Sequence, residues 1–227
     1  MSTLHLFGFE QWLESKSAGK IENPSELLVR AVKNNPVLVR EMDVDRVRTA
    51  ILPVPPKLRT FSEKLRPILD SIDVRCGDLC LAFGQGAMPQ KSHVLESRFV
   101  NQFKPVVGNP QKINMDDDAD RVVGLGGLSK TIVRRVNKAG FNIDVGVNAG
   151  NFYCNALGYI TFQKLPLGNS LFVHLPALSD AETAEKIWYA NEVGLKSAGI
   201  TTLEEMPYSS PEQNIELFKA LIDAWKI

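Results

Sequence analysis

The sequence predicts an α/β fold: a three-layer α/β/α sandwich with a mixed, mostly parallel central sheet and helices on both faces. Apolar strand-like segments alternate with amphipathic helical segments, an alternation typical of sheets covered by helices on both sides. One segment, residues 79–84 (LCLAFG), is apolar throughout, as strands buried on both faces are. The 227 residues are 44% hydrophobic and include no repeat, low-complexity tract or linker, so we expect one domain over 1–227.

The first half of the chain supplies two further strands and two helices. Residues 3–7 (TLHLF) are a first strand, and residues 48–56 (RTAILPVPP) are a second that prolines close. Apolar residues at helical spacing predict a helix within 22–35, with Ser25 as a plausible N-cap after an Asn-Pro turn. Residues 61–73 predict the second helix.

The second half continues the alternation. A helix over 127–140, which Gly140 ends, leads into a strand at 141–148. A helix over 152–165 then leads into the apolar strand 171–176 (LFVHLP). Two amphipathic helices complete the chain, at 179–199 and 210–227.

Charge and cysteine content exclude several classes of protein. Lys plus Arg equal Asp plus Glu at 26 each, so no net basic field favours nucleic acid or an anionic membrane. No apolar stretch approaches the roughly 18 residues of a membrane span, and the N-terminal residues lack the basic flank of a signal peptide. Three cysteines without metal-ligand spacing indicate a reduced, cytoplasmic protein without a zinc site.

One cysteine and one histidine stand at element boundaries. Cys154 lies in the first turn of the helix over 152–165, where helix N–H groups favour a thiolate and can hold an oxyanion. His174 closes the next strand, at the carboxyl edge of the sheet where α/β sites lie. The two residues are the minimal pair of a cysteine hydrolase. The alternative is a cysteine that is only a small buried hydrophobe.

An ordered set of motifs resembles type I pyroglutamyl peptidases, the pyrrolidone carboxyl peptidases. NAGNFYCN at 148–155 resembles their cysteine motif, and LFVHLP resembles their histidine strand. Four weaker matches follow the same order along the chain: GFEQW at 8–12 with NPSELLV at 23–29, AILPV at 50–54, FGQG at 83–86 and LESRFVN at 95–101. The set spans nearly the whole chain.

The resemblance implies roles for six residues. Cys154 matches the nucleophile, His174 its base, and Glu96 the third member, which fixes the imidazole tautomer. The backbone of Gln85 matches the group that grips the substrate lactam. Phe9 and Trp12 match two aromatics that sandwich the pyrrolidone ring, in a loop just after the first strand. Without the resemblance, Glu96 is a solvated carboxylate, and Phe9 and Trp12 could be core aromatics.

The substrate pocket departs from the family pattern more than the triad does. Leu13 and Glu14 stand where the family has two glycines, and the segment after Gln85 differs. The family arginine beside the oxyanion site falls near Val106, or near Lys104 with a gap.

Three other features are interpreted as structural. DDDADR at 116–121 is a solvated loop or helix start, because Arg121 stands where a calcium loop needs glycine. GLGGLSKT at 124–131 is a helix-entry turn rather than a phosphate loop. His93 is the only rival base, and it lies outside the histidine strand.

The resemblance implies a cysteine omega-peptidase that removes N-terminal pyroglutamate from peptides through a thioester intermediate and needs no metal or cofactor. The expected partner is a small peptide, with no nucleic acid and no membrane, and homo-oligomerisation is left open. Two alternatives remain: a related cysteine amidase with another small lactam or amide, and a catalytically drifted member that binds blocked peptides or serves in an assembly.

Overall fold

A computed structural model describes residues 2–10, 14–15, 19–20, 22–42, 44–55, 57–86, 90, 92–104 and 109–225. The strands in these ranges are β1 (Thr3–Phe9), β2 (Glu14–Ser15), β3 (Gly19–Lys20), β4 (Arg46–Leu52), β5 (Leu79–Gln85), β6 (His93–Glu96), β7 (Phe99–Val100), β8 (Val122–Val123), β9 (Ile143–Gly146) and β10 (Ser170–Leu175). The helices are α1 (Pro24–Lys33), α2 (Pro36–Glu41), α3 (Leu58–Asp70), α4 (Leu128–Lys138), α5 (Tyr153–Lys164), α6 (Ala181–Ser197) and α7 (Pro211–Trp225).

Six strands form one mixed sheet in the order β4-β1-β5-β10-β6-β9. The first four are parallel to one another. β6 runs antiparallel to β10 and parallel to β9, so the direction reverses once within the sheet. The predicted α/β class with a mostly parallel, mixed sheet is therefore confirmed.

Helices cover both faces of this sheet. Side chains of successive strand residues point to opposite faces, so β5 contributes to the core on each side. On one face, Leu81 and Phe83 of β5 belong to a cluster with residues of α1, α4 and α7. On the other face, Cys80 and Ala82 belong to a cluster with residues of α3 and α5. The layers are those of the predicted sandwich, and the candidate site lies on the second face.

Two details near the first strand differ from the predictions. β1 extends to Phe9, so Phe9 is the last residue of a strand and not part of a loop. The N-cap of α1 is Asn23 rather than Ser25, since the Asn23 side chain accepts a hydrogen bond from the Ser25 N–H. The Ser25 hydroxyl instead accepts the Phe9 N–H at 3.0 Å, and this bond ties the end of β1 to the helix.

The acidic segment at 116–121 differs from the predicted solvated loop or helix start, because one of its aspartates is buried. Asp117 is buried, and one of its oxygens accepts hydrogen bonds from Tyr159 at 2.6 Å, Gln163 at 2.6 Å and Asn114 at 2.9 Å. Tyr159 and Gln163 belong to α5, so the aspartate fastens this loop to the helix that begins at the candidate nucleophile. A buried carboxylate is stable here because donors surround it.

No helix in the described ranges is long and apolar enough to cross a membrane.

Candidate active site

Cys154 is the second residue of α5 and is half-buried. Phe152 occupies the N-cap position and has no side-chain acceptor to offer the first N–H groups of the helix. The first N–H groups of a helix have no intrahelical acceptor, so here they can donate hydrogen bonds to a group beside the thiol. The predicted placement of Cys154 in the first turn of a helix is what the structure has.

His174 is buried in β10, one residue before its end. It stands beside Gly84 of β5 in the parallel register. A Cβ built on Gly84 would lie 2.9 Å from the Cys154 sulfur and 3.1 Å from Cδ2 of His174. Thiol and imidazole therefore lie together over a sheet position that has no side chain.

Glu96 reaches the same imidazole from the reversed strand β6. His174 Nδ1 and Glu96 Oε1 are 2.8 Å apart, and both side chains are buried. A carboxylate only accepts hydrogen bonds, so the proton is on Nδ1. The other ring nitrogen, Nε2, is then left for the thiol. The structure thus brings together the three residues predicted as a triad.

The electrostatics of the site favour a charged imidazole. Burial alone would lower the pKa of His174, but the charge and hydrogen bond of Cys154, together with those of Glu96, outweigh it. The pKa of His174 is raised to about 10. An imidazolium at neutral pH is the natural counter-ion of a thiolate.

The predicted substrate residues have different outcomes. Phe9 is buried and stacks on Phe61, with ring centroids 6.1 Å apart, so the position predicted as a loop wall is a core-facing strand residue. Trp12 lies outside the described residues. Gln85 ends β5, and its side chain donates to the carbonyl of Ala177 at 2.5 Å.

The direction of the Gln85 backbone groups follows from the hydrogen bond of the next residue. The N–H of Gly86 donates to the carbonyl of Leu175 at 2.7 Å, on the β10 side of β5. Backbone groups of neighbouring strand residues point to opposite edges of the strand. The N–H and C=O of Gln85 therefore point toward the β1 side, where Phe9 ends its strand.

The rival residues take other places. Side chains alternate along β6, so His93 points to the face opposite Glu96, where its Nε2 lies 3.0 Å from Asn214 Oδ1. Burial lowers the pKa of His93. Cys80 is buried in β5, and burial raises the pKa of its thiol to about 12, which makes it inert.

Asn155 is a supporting residue to which the sequence analysis assigned no role. Its buried side chain accepts the Val100 N–H at 3.0 Å and donates to the carbonyls of Val100 and Gln102. The adjacent Lys104 N–H donates to the carbonyl of Asn151 at 2.5 Å, just before the α5 N-terminus. Lys104, one of two positions matched to the family arginine, thus lies beside this turn, whereas Val106 is outside the described residues. A signal for Asn155 was present in the Cys-Asn pair of the motif.

Among the described residues, no group of three or more His, Cys, Asp or Glu side chains could hold a metal ion.

Comparisons with known proteins agree with the motifs. No protein-family model matches the chain. The chain is 28% identical over 183 residues to a curated pyrrolidone-carboxylate peptidase of Saccharolobus islandicus, which covers 77% of this chain and 79% of that protein. Pyrrolidone-carboxylate peptidase 2 of Saccharolobus solfataricus matches with the same identity and coverage.

Solved structures share the fold. The pyrrolidone carboxyl peptidase of Thermus thermophilus superposes with a TM-score of 0.68 at 20% identity, over 97% of this chain and 98% of that one. The enzyme of Thermococcus litoralis gives a TM-score of 0.70 at 15% identity, over 99% and 93% of the two chains. The curated relatives thus resemble the chain over 77% of its length, and the solved structures share its fold.

Proposed function

We propose that this protein is a cysteine omega-peptidase that removes N-terminal pyroglutamate from peptides, with Cys154, His174 and Glu96 as its triad. The observation that carries the proposal is the position of His174, which lies beside the thiol over Gly84 and 2.8 Å from the buried carboxylate. The curated relatives are named for pyrrolidone carboxylate, which is pyroglutamate. A structural histidine needs no thiol at a helix N-terminus beside it.

Each residue of the triad has a defined step. The thiolate of Cys154 attacks the carbonyl carbon of the pyroglutamyl group, and N–H groups at the start of α5 donate hydrogen bonds to the resulting oxyanion. The imidazolium of His174 donates its proton to the leaving amine, and a thioester remains. His174 then accepts a proton from water, which attacks the thioester and releases pyroglutamate. Glu96 keeps the proton on Nδ1 throughout.

The lactam slot is proposed near the ends of β1 and β5. The ring is small, flat and neutral, so an apolar aromatic wall and two amide hydrogen bonds are sufficient to hold it. The N–H and C=O of Gln85 supply the hydrogen bonds, and Phe9 and Trp12 are the proposed walls.

Hydrolysis of a pyroglutamyl-coumarin amide tests the activity. We expect turnover by the wild type, its loss after iodoacetamide treatment, and its absence in Cys154→Ala, which retains the wild-type melting temperature. Mass spectrometry should find the label on Cys154 and not on Cys80, whose thiol is buried. Near wild-type turnover in Cys154→Ala would remove the nucleophile from the proposal.

The burial of Phe9 favours one alternative, a cysteine amidase with the same triad and a different small lactam or amide. If the Phe9 ring remains packed against Phe61, the slot has one aromatic wall fewer. A panel of coumarin amides, with pyroglutamyl, prolyl and alanyl groups, separates the two activities. Faster turnover of another amide than of the pyroglutamyl one would favour the amidase.

A further inference from the structure

Gly146 lies at the end of β9, beside the buried carboxylate. It pairs with Glu96 in the parallel register between β6 and β9. A Cβ built on Gly146 would lie 2.6 Å from Cδ of Glu96 and closer still to Oε2. It would also lie 2.5 Å from Cγ1 of Val94. Real side-chain contacts of this kind are longer than about 3 Å, so a methyl group here needs a neighbour to move.

Space explains this glycine better than backbone conformation does. Gly146 belongs to a regular strand and is not among the glycines with positive φ. Any residue can adopt its backbone angles, since they lie in the extended region. The missing side chain therefore matters for the volume that it leaves beside Glu96.

The carboxylate of Glu96 is held asymmetrically. Its Oε1 contacts His174, whereas Oε2 is buried and has no hydrogen-bond partner among the described residues. Oε2 is the atom that a Cβ on Gly146 would approach most closely. A buried carboxylate oxygen with no donor is weakly held. A clash with an added methyl group would therefore move this oxygen before it moved groups that are held by hydrogen bonds.

The backbone of Gly146 is less free to move than the carboxylate. Its carbonyl accepts two hydrogen bonds from Ser97, from the N–H at 2.8 Å and from the hydroxyl at 2.7 Å. Ser97 directly follows Glu96, so these bonds fasten the end of β9 to the end of β6. Moving β9 outward to admit a methyl group would break both of them.

We infer that Gly146 is a positioning residue, whose missing side chain admits the Glu96 carboxylate beneath His174. The inference rests on the proposed function, because it assigns Gly146 a role through the triad. A methyl group at this position turns the carboxylate away from Nδ1 by on the order of 1 Å, and a misplacement of that size can cost about 10²-fold in rate. His174 then loses the partner that fixes its tautomer.

The test compares Gly146→Ala with Gly127→Ala. Gly127 has no atom within 4 Å of its added Cβ and an ordinary φ of −68°, so it is a matched control. We expect Gly146→Ala to lose at least ten-fold in turnover of the pyroglutamyl-coumarin amide. The iodoacetamide labelling rate of Cys154 at pH 7 should fall with it, while Gly127→Ala matches the wild type in both.

A double-mutant cycle separates this role from a general packing defect. In a Glu96→Ala background, Gly146→Ala should cause no further loss of labelling rate, because no carboxylate remains to be displaced. In a Val94→Ala background, Gly146→Ala should still cause its full loss. Wild-type labelling in Gly146→Ala would overturn the inference, as would relief by Val94→Ala and not by Glu96→Ala.

Failure of the proposed function and failure of the role inferred for Gly146 give different results. If the wild type hydrolyses no pyroglutamyl substrate, the proposed function fails, but the labelling rate of Cys154 still tests Gly146. If Gly146→Ala does not fold, the Glu96→Ala/Gly146→Ala protein should fold, since the closest clash is with the carboxylate. Failure of both proteins to fold, with a folded Glu96→Ala, would make Gly146 a structural residue only.

Discussion

The substitution Glu96→Gln removes one charge from the site and keeps its shape. A glutamine oxygen can still accept the Nδ1–H of His174, now 2.8 Å from Glu96 Oε1, so the tautomer is preserved. What is lost is the charge that helps to raise the pKa of His174. The variant therefore measures how much the carboxylate contributes to holding an imidazolium beside the thiol.

The magnitude follows from the kind of hydrogen bond. A bond to a charged group contributes about 1.5–3 kcal/mol, more than a bond between neutral groups. The glutamine keeps a neutral bond of about 0.5–1.5 kcal/mol, so the variant loses only the difference, about 1–1.5 kcal/mol. One factor of ten in rate corresponds to about 1.36 kcal/mol, so we expect kcat/KM to fall about 5- to 13-fold. The labelling rate of Cys154 at pH 7 should fall in the same direction. Glu185→Gln, which removes an exposed carboxylate from α6, is the matched control and should change neither rate.

Thermal unfolding gives a second, independent test with a defined sign. His174 has a pKa raised in the folded state, so its protonation stabilises the fold fully below the unfolded value near 6.5 and ceases to do so as the pH rises through about 10. Glu96→Gln lowers the folded pKa. The proton-linked advantage of the wild type should therefore be largest near pH 6 and shrink toward pH 10. An advantage that grows with pH, together with unchanged labelling, would refute the coupling of Glu96 to His174.

Three further predictions concern the thiol, the lactam slot and the buried aspartate. His174→Ala should slow the labelling of Cys154 by iodoacetamide at pH 7, because the imidazolium that would favour the thiolate is lost. Equal rates in both proteins would exclude the ion pair. Trp12→Ala should lower kcat/KM about ten-fold or more and leave the labelling of the Cys154 thiol unchanged. Phe9→Ala should instead destabilise the fold by about 3–5 kcal/mol, because its buried ring is lost. A loss of both melting temperature and labelling in Trp12→Ala would make Trp12 a core residue. Asp117→Asn should lower the melting temperature at pH 7, and the difference from the wild type should disappear in acid. Hydrogen bonds, above all that of Tyr159, lower the pKa of Asp117, so the stabilisation they give is lost as the pH falls through that pKa. A difference in melting temperature that does not depend on pH would contradict this.

The alternation of strands and helices was sufficient to predict a mixed, mostly parallel sheet, but not the strand at which its direction reverses. The four residues of β6 (HVLE) are too few for a periodic pattern, and their direction depends on a neighbour that lies far along the chain. Glu96 was identified from the family resemblance, since nothing local distinguishes it from a solvated glutamate. Tertiary pairing, and not propensity, determines where such a short strand lies.

Some signals were present in the sequence and were misinterpreted. Pro24 at the first helical position indicates that the residue before it is the N-cap, and that residue is Asn23. The first strand was predicted over residues 3–7, yet β1 continues through Gly8 to Phe9. A Cβ on Gly8 would lie 2.5 Å from the carbonyl oxygen of Ser25, so this glycine marks the close approach of α1 to the strand.

The reversal of direction at β6 explains how the sheet holds a three-residue site. β6 begins at the edge where β5 and β10 end and runs antiparallel to β10. Glu96 therefore reaches His174 from the neighbouring strand of the same sheet. The imidazole is then fixed between a thiol from the helix layer and a carboxylate from the next strand. Both contacts need room in a close-packed layer. Gly84 provides it on one side of His174, and Gly146 provides it on the far side of Glu96. The site therefore depends on two positions without side chains, which residue chemistry alone does not reveal in the sequence.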